Sequence, residues 1–171
     1  MFRMIKLTLT VLFLAFTSSL SAKGLAVGAD APQLTVADQD GNAVNLGKVL
    51  SEGTTVVFFY PKADTPGCTK QACSLSEGFL ELKQRGVQVY GVSGDNADSQ
   101  AKFKEKFSLP YPLIADNDLK MNEAFGKGRW ARQAYIFHGG KVVWADHKAA
   151  TAKQFEEVIA ALDELGIAPK P

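Results

Sequence analysis

The chain of 171 residues is poor in the side chains that staple small folds or hold metals, with two cysteines and two histidines. Two thiols are too few for a disulfide-scaffold fold and too few for a structural zinc site built of thiolates. His138 and His147 have no third ligand at metal spacing and read as surface residues. Neither sign of charge is in excess, at 19 Lys+Arg against 18 Asp+Glu, so there is no basic surface to grip nucleic acid and no acidic run to solvate a tail. Repeats, long linkers and low-complexity segments are absent apart from the short Pro169-Lys170-Pro171 end. What is present is a 46% hydrophobic, 22% charged composition, which suits one globular domain with a real core.

The first 22 residues stand apart. Arg3 and Lys6 form a positive start, Leu7 to Phe16 is a short apolar core, and Thr17 to Ala22 is small and polar. That order is expected of a secretory signal peptide, with an apolar part too short to span a bilayer comfortably. Cleavage is expected after Ala22, with Ser21 and Ala26 as alternatives, and an uncleaved anchor is the competing reading. The resulting layout is a leader over 1–22 and a single domain over 23–171. Loss of the leader removes two positive charges and leaves a nearly neutral domain, expected in the periplasm or outside the cell with no stable membrane association.

The remainder alternates between strands and helices. Leu34–Ala37 and Ala43–Leu46, separated by Asp40-Gly41-Asn42, predict an N-terminal hairpin. Thr54 to Tyr60 (TTVVFFY) is an unbroken β-rich run and predicts a strand buried on both faces. After the turn at Pro61–Gly67 the apolar steps Leu75, Phe79 and Leu82 predict one helix ended by Gly86. Val87–Ser93 is the next strand, and a helix with Phe103 and Phe107 inward leads to a short strand at Pro112–Ala115. A helix near Asp118–Phe125 and a hairpin at Ala134–Phe137 and Val142–Ala145 follow. Thr151-Ala152-Lys153-Gln154 reads as a capping box opening a last helix that carries Phe155, Val158, Ile159, Leu162 and Leu165 inward. The expected fold class is α/β and thioredoxin-like, a central mixed sheet with helices on both faces and an N-terminal hairpin.

Chemistry concentrates between Pro61 and Cys73. Cys68 falls where a buried strand gives way to a helix, and free N–H groups with the positive dipole end there favour an anion. Only the thiolate is a good nucleophile, so that placement makes a cysteine reactive; Lys62 and Lys70 add positive potential nearby. Cys73 lies five residues on. In a helix their Cα atoms would be roughly 8–9 Å apart, beyond the roughly 7 Å a disulfide tolerates. The pair therefore cannot join while the helix is intact. Two readings stay open: a bond that forms and breaks during turnover, or a static disulfide in a segment that is never helical.

The pattern Pro61-x-x-x-Thr65-x-x-Cys68, within FFYPKADTPGCTKQAC, resembles the peroxiredoxin active site. With the second cysteine five residues after the first, it is similar to the Q-type peroxiredoxins, also called bacterioferritin comigratory proteins, over about residues 25–165. The resemblance implies that Cys68 is the peroxidatic cysteine and Cys73 the resolving one, joined in an intramolecular disulfide. It also implies that Thr65 orients the peroxide, that Pro61 shields the thiolate, and that the family's distant arginine falls on Arg132 in ARQAYIF. Arg129 competes for that role three residues earlier. A guanidinium suits it because displacing an oxyanion needs charge and donors in fixed geometry. The implied partners are hydrogen peroxide, organic hydroperoxides and a thioredoxin-like dithiol reductant, the implied state is a monomer, and no metal, haem or flavin is expected. In two respects the chain departs from the family: a shorter stretch from Phe125-Gly126 to Arg132, and the leader.

Other motifs carry less. Gly126-Lys127-Gly128-Arg129-Trp130-Ala131 fits G-x-G-x-x-A but follows a helix instead of a strand, so it is no dinucleotide loop. Trp130, Trp144, Phe58, Phe59, Tyr60 and Phe79 read as packing residues. A thiol–disulfide oxidoreductase or copper-delivery protein on the same fold would be expected to show C-x-x-C, or C-x-x-x-C with a histidine, and a binding domain with a structural disulfide is the non-enzymatic rival.

Overall fold

A computed structural model describes residues 24–169, so the predicted leader lies outside the described residues. The TTVVFF run becomes the central strand of a five-stranded sheet. Its elements in chain order are β1 (Thr35–Ala37), β2 (Ala43–Asn45), α1 (Leu46–Ser51), β3 (Thr54–Phe59), α2 (Pro66–Glu77), α3 (Phe79–Gln84) and β4 (Val87–Ser93). Then come α4 (Ala97–Lys106), β5 (Leu113–Ala115), α5 (Lys120–Ala124), β6 (Gln133–His138), β7 (Lys141–Asp146) and α6 (Gln154–Glu164). The sheet runs β5-β4-β3-β6-β7, with β3, β4 and β5 parallel and β6 and β7 antiparallel. This is the expected thioredoxin-like α/β arrangement. All six β3 residues are buried, because helices cover both faces. Val56, Phe58 and Tyr60 meet α2, α3, α4 and α6 on one side. Val57 and Phe59 meet Leu46 and Leu50 of α1, Met121 of α5 and Phe125 just past α5 on the other. Strands β1 and β2 form their own hairpin, whose turn is tied by Asp38 Oδ1 accepting from Asp40 N (2.9 Å) and Asn42 N (2.8 Å).

Four expectations are corrected. The single helix after Gly67 is two, broken at Gly78, where a Cβ would stand 2.1 Å from the Phe155 ring; α6 packs so closely that only glycine fits. Leu46 does not end a strand but opens α1, because the Asn45 side chain accepts from Lys48 N and caps a helix there. The capping box at Thr151 does not form. Helix α6 begins at Gln154, and its Phe155 N–H is satisfied instead by Ser74 Oγ of α2 at 3.0 Å. At the far end Leu165, read as inward, is 39% exposed just past the helix.

Candidate active site

Strand β3 ends at Phe59, and the next six residues carry the chain into the first turn of α2 at Pro66. Pro66 occupies the first helical turn, has no N–H to lose and fixes a helical φ. Thr69 N donates to Thr65 O at 2.8 Å. The amides of Gly67 and Cys68 are thus left at the positive end of the helix, and Cys68 sits among them with 2% exposure. Thr65 precedes the helix and its Oγ1 donates to Lys62 O at 3.0 Å, which leaves the oxygen lone pairs free to accept. Pro61 is half-buried and lines a cleft of about 190 Å³ with Lys62, Gly94, Asp95, Arg129 and Trp130.

The loop is held from beneath by a chain of polar groups. Asp95 Oδ2 accepts from Ala63 N (2.7 Å) and from Ser93 Oγ (2.6 Å). Gln100, wholly buried, donates to Ser93 Oγ (3.0 Å) and to Ile114 O (2.8 Å), and accepts from Tyr60 OH at 2.5 Å. Burial holds the Tyr60 phenol protonated, its pKa pushed far up, so its O–H is kept for Gln100. Asp64 adopts a left-handed backbone (φ 54°) and is fixed by Lys106 Nζ at 2.7 Å.

Arg132 reaches this pocket from the start of β6. Its Nη2 lies 3.4 Å from Cys68 Sγ, and its Nη1 donates to Gln71 Oε1. Gly67 lies alongside it, a Cβ there standing 3.4 Å from Nη2, at ordinary contact distance. Gln71 is wholly buried and passes the contact on, Nε2 donating to the equally buried Gln154 Oε1 at 2.7 Å. Arg129 is exposed and lies against the Trp130 ring, its Cζ 5.2 Å from the centroid. The structure thus brings Arg132, not Arg129, to Cys68. Cys73 is half-buried in the same helix, and both thiols are free. Burial, aided by Glu77, pushes the Cys73 pKa up and keeps it a neutral thiol.

Sequence reasoning missed Gln71, Gln154 and the Tyr60–Gln100–Ser93–Asp95 chain. One signal was available: Cys68, Gln71, Ala72 and Leu75 share a helix face at three- and four-residue steps, so Gln71 is a polar residue on a buried stripe. His138 is exposed and hydrogen-bonds Thr54 Oγ1 at 2.8 Å, while His147 is exposed beside Tyr135. Among the described residues no three His, Cys, Asp or Glu side chains gather as metal ligands.

Residues 27–145 match the model of the AhpC/TSA family. Peroxiredoxin Bcp of Escherichia coli is 41% identical over 112 residues, a match covering 66% of this chain and 70% of that protein. The chain belongs to the AhpC/TSA family, in its peroxiredoxin Q/Bcp branch. The chloroplastic peroxiredoxin Q of rice (Oryza sativa subsp. japonica) is 44% identical over 99 residues, 58% of this chain, and the match spans only 45% of that longer protein. Among solved structures, the peroxidoxin BcpB of Mycobacterium tuberculosis superposes with a TM-score of 0.75 at 29% identity, covering 81% of this chain and 97% of that one. The Xanthomonas campestris bacterioferritin comigratory protein, whose structures concern alkyl peroxide reduction, gives 0.75 at 26% identity over 82% and 99% of the two chains.

Proposed function

We propose that this peroxiredoxin is an exported thiol peroxidase that reduces hydrogen peroxide and organic hydroperoxides and works as a monomer. The observation that carries it is the guanidinium of Arg132 at 3.4 Å from a buried Cys68 at a helix N-terminus. The Cys68 thiolate attacks the terminal peroxide oxygen. An S–O bond forms, the O–O bond breaks with two electrons from sulfur, and the departing alkoxide or hydroxide takes a proton. Arg132 and the Gly67 and Cys68 amides stabilise the negative charge that builds on the separating oxygens. Thr65 Oγ1 accepts the peroxide O–H, and Pro61 keeps water from the sulfur.

Resolution follows within the chain. The Cys73 thiol attacks the Cys68 sulfenic sulfur, the S–S bond forms, and the hydroxyl leaves with the thiol proton as water. The intact α2 holds the two cysteines apart, so its turn must unwind first. A thioredoxin-like dithiol then supplies two electrons and two protons and leaves as a disulfide. Arg3, Lys6 and the apolar Leu7–Phe16 support export through a leader over 1–22, with the domain over 23–171 acting in the periplasm or outside the cell. No helix among the described residues is long and apolar enough to cross a membrane.

Stopped-flow mixing of the reduced protein with one equivalent of hydrogen peroxide tests the reading. Fast loss of both thiols is expected, abolished in Cys68→Ser, while Cys73→Ser gives one fast oxidation and no disulfide. Thiols that persist for minutes in the wild type would instead support the thiol–disulfide oxidoreductase reading.

A further inference from the structure

The backbone of the α2 turn between the two cysteines is gripped from outside by a phenol. Tyr111 OH donates to Ala72 O at 2.6 Å, and Ala72 is the residue before Cys73. We propose that Tyr111 is a latch that holds the Cys73 turn helical and so sets how fast the Cys68 sulfenic acid is resolved. The inference rests on the peroxidase reading above.

Tyr111 is built to hold. It is 1% exposed, its ring packing edge-on to Phe58 (5.6 Å between centroids) and against Phe79 (5.9 Å). Its backbone lies between Pro110 and Pro112, and Lys104 Nζ donates to Leu109 O (2.8 Å) and Tyr111 O (2.6 Å), tying the turn to α4. The hydroxyl therefore has a fixed position, while the carbonyl it binds belongs to the segment that must move. Ala72 O is part of the peptide plane that joins Ala72 to Cys73. Cys73 cannot swing towards Cys68 without that plane turning, and turning it breaks the bond to Tyr111. Cys68 itself stands upstream of the gripped carbonyl, at the helix end that Tyr111 does not touch.

Tyr111 is a positioning residue for the second chemical step alone. A latched turn leaves the sulfenic acid exposed for longer to a second peroxide, which would cleave another O–O bond and oxidise Cys68 to the sulfinic acid. The latch thus trades speed of resolution for integrity of the site that receives the first peroxide.

Tyr111→Phe keeps the ring and leaves no buried donor unpaired. Rapid mixing with one equivalent of hydrogen peroxide, then with excess, separates the two steps, and mass spectrometry reads the sulfinic product. The expected result is an oxidation phase unchanged within about twofold, disulfide closure faster by about two- to tenfold, and a correspondingly smaller sulfinic fraction, the factor being that of one net hydrogen bond. Amide exchange should quicken at residues 73–77 and stay unchanged in β3 and β4. Closure that is unchanged or slower, with oxidation intact, overturns the latch. So does exchange that quickens through β3 and β4 as much as in α2, since that marks the phenol as ordinary core packing. A wild type that oxidises Cys68 but never forms the Cys68–Cys73 bond overturns the resolving role beneath it, and an inert Cys68 overturns the peroxidase reading itself.

Discussion

Replacing Gln71 by leucine separates what holds the fold from what arms the sulfur. Gln71 and Gln154 are both wholly buried and meet at 2.7 Å, while Gln71 Oε1 accepts from Arg132 Nη1. Leucine has nearly the same volume, so packing changes little, but Gln154 Oε1 loses its donor inside the core. An unmet buried acceptor costs about 1–3 kcal/mol. At about 2–4 °C per kcal/mol for a domain of this size, Gln71→Leu should melt roughly 2–12 °C lower. Gln71→Leu with Gln154→Leu removes both polar ends and should regain most of that loss, because two apolar groups of matching shape leave no unmet amide between α2 and α6.

Activity should not return with stability. In both variants the guanidinium loses its anchor and keeps only its contact to sulfur, so it samples other directions. Removing a transition-state donor outright costs about 10²–10³ in rate, and loosening one should cost roughly ten- to a hundredfold in the first oxidation of Cys68. Thermal melts and stopped-flow oxidation of the wild type, the single and the double variant read the two effects separately. Recovery of rate and melting temperature together in the double variant would refute the anchoring role of Gln71. An unchanged melting temperature in Gln71→Leu would refute the claim that Gln154 depends on it.

Two further substitutions probe the frame around the site. Gly78→Ala, at an ordinary φ of −91°, would gain up to about 1 kcal/mol by stiffening the unfolded chain, yet its Cβ would overlap the Phe155 ring at 2.1 Å. The overlap should win and destabilise by about 1–3 kcal/mol in urea denaturation, and a stabilised variant would refute the close approach of α6. Lys127 is 6% exposed and lies 4.9 Å from the Phe59 ring centroid, its Nζ bonded to Asn122 Oδ1 and Gly128 O, and burial pushes its pKa down to about 8 despite Asp116. The unfolded chain then binds more protons between about pH 8 and about pH 10.4, so the lysine's contribution rises with pH across that window. Relative to Lys127→Met the wild type should gain up to about 3 kcal/mol from pH 7 to pH 10.5 in urea melts, and a difference that ignores pH would refute the buried charge.

The strands were legible because their signal is local. Thr54–Tyr60 and Val87–Ser93 announce themselves by unbroken β-rich runs, and β3 and β4 end within a residue of those limits. The helix break at Gly78 was not legible, since nothing near it in sequence reveals that a phenylalanine from α6 will press on it. The same holds for the start of α6. Thr151-Ala152-Lys153-Gln154 carries the sequence signs of a cap, but Ser74 of α2 supplies the hydroxyl and Gln154 turns inward to Gln71.

Cysteine placement could be read because a thiol at a strand-to-helix junction is chemically distinctive, whereas a buried glutamine shows only by its place on an apolar helix stripe. That asymmetry matters for the cycle. Gln71 lies between Cys68 and Cys73, on the turn that must unwind before they can join. If the disulfide closes as proposed, the unwinding carries Gln71 away from both Arg132 and Gln154. The anchor of the guanidinium is then lost just after the guanidinium has done its part, and the seat of α6 on Gln71 is lost with it. Ser74, one residue past Cys73, holds Phe155 N, so unwinding confined to the turn between the cysteines leaves the end of α6 docked. Reduction of the bond allows the turn to rewind, and rewinding restores Gln71 to Arg132 and the amides of Gly67 and Cys68 to the sulfur in one step. The site is therefore taken apart whenever the Cys68–Cys73 bond is closed, which follows from placing the anchor of the arginine inside the segment that the chemistry unfolds.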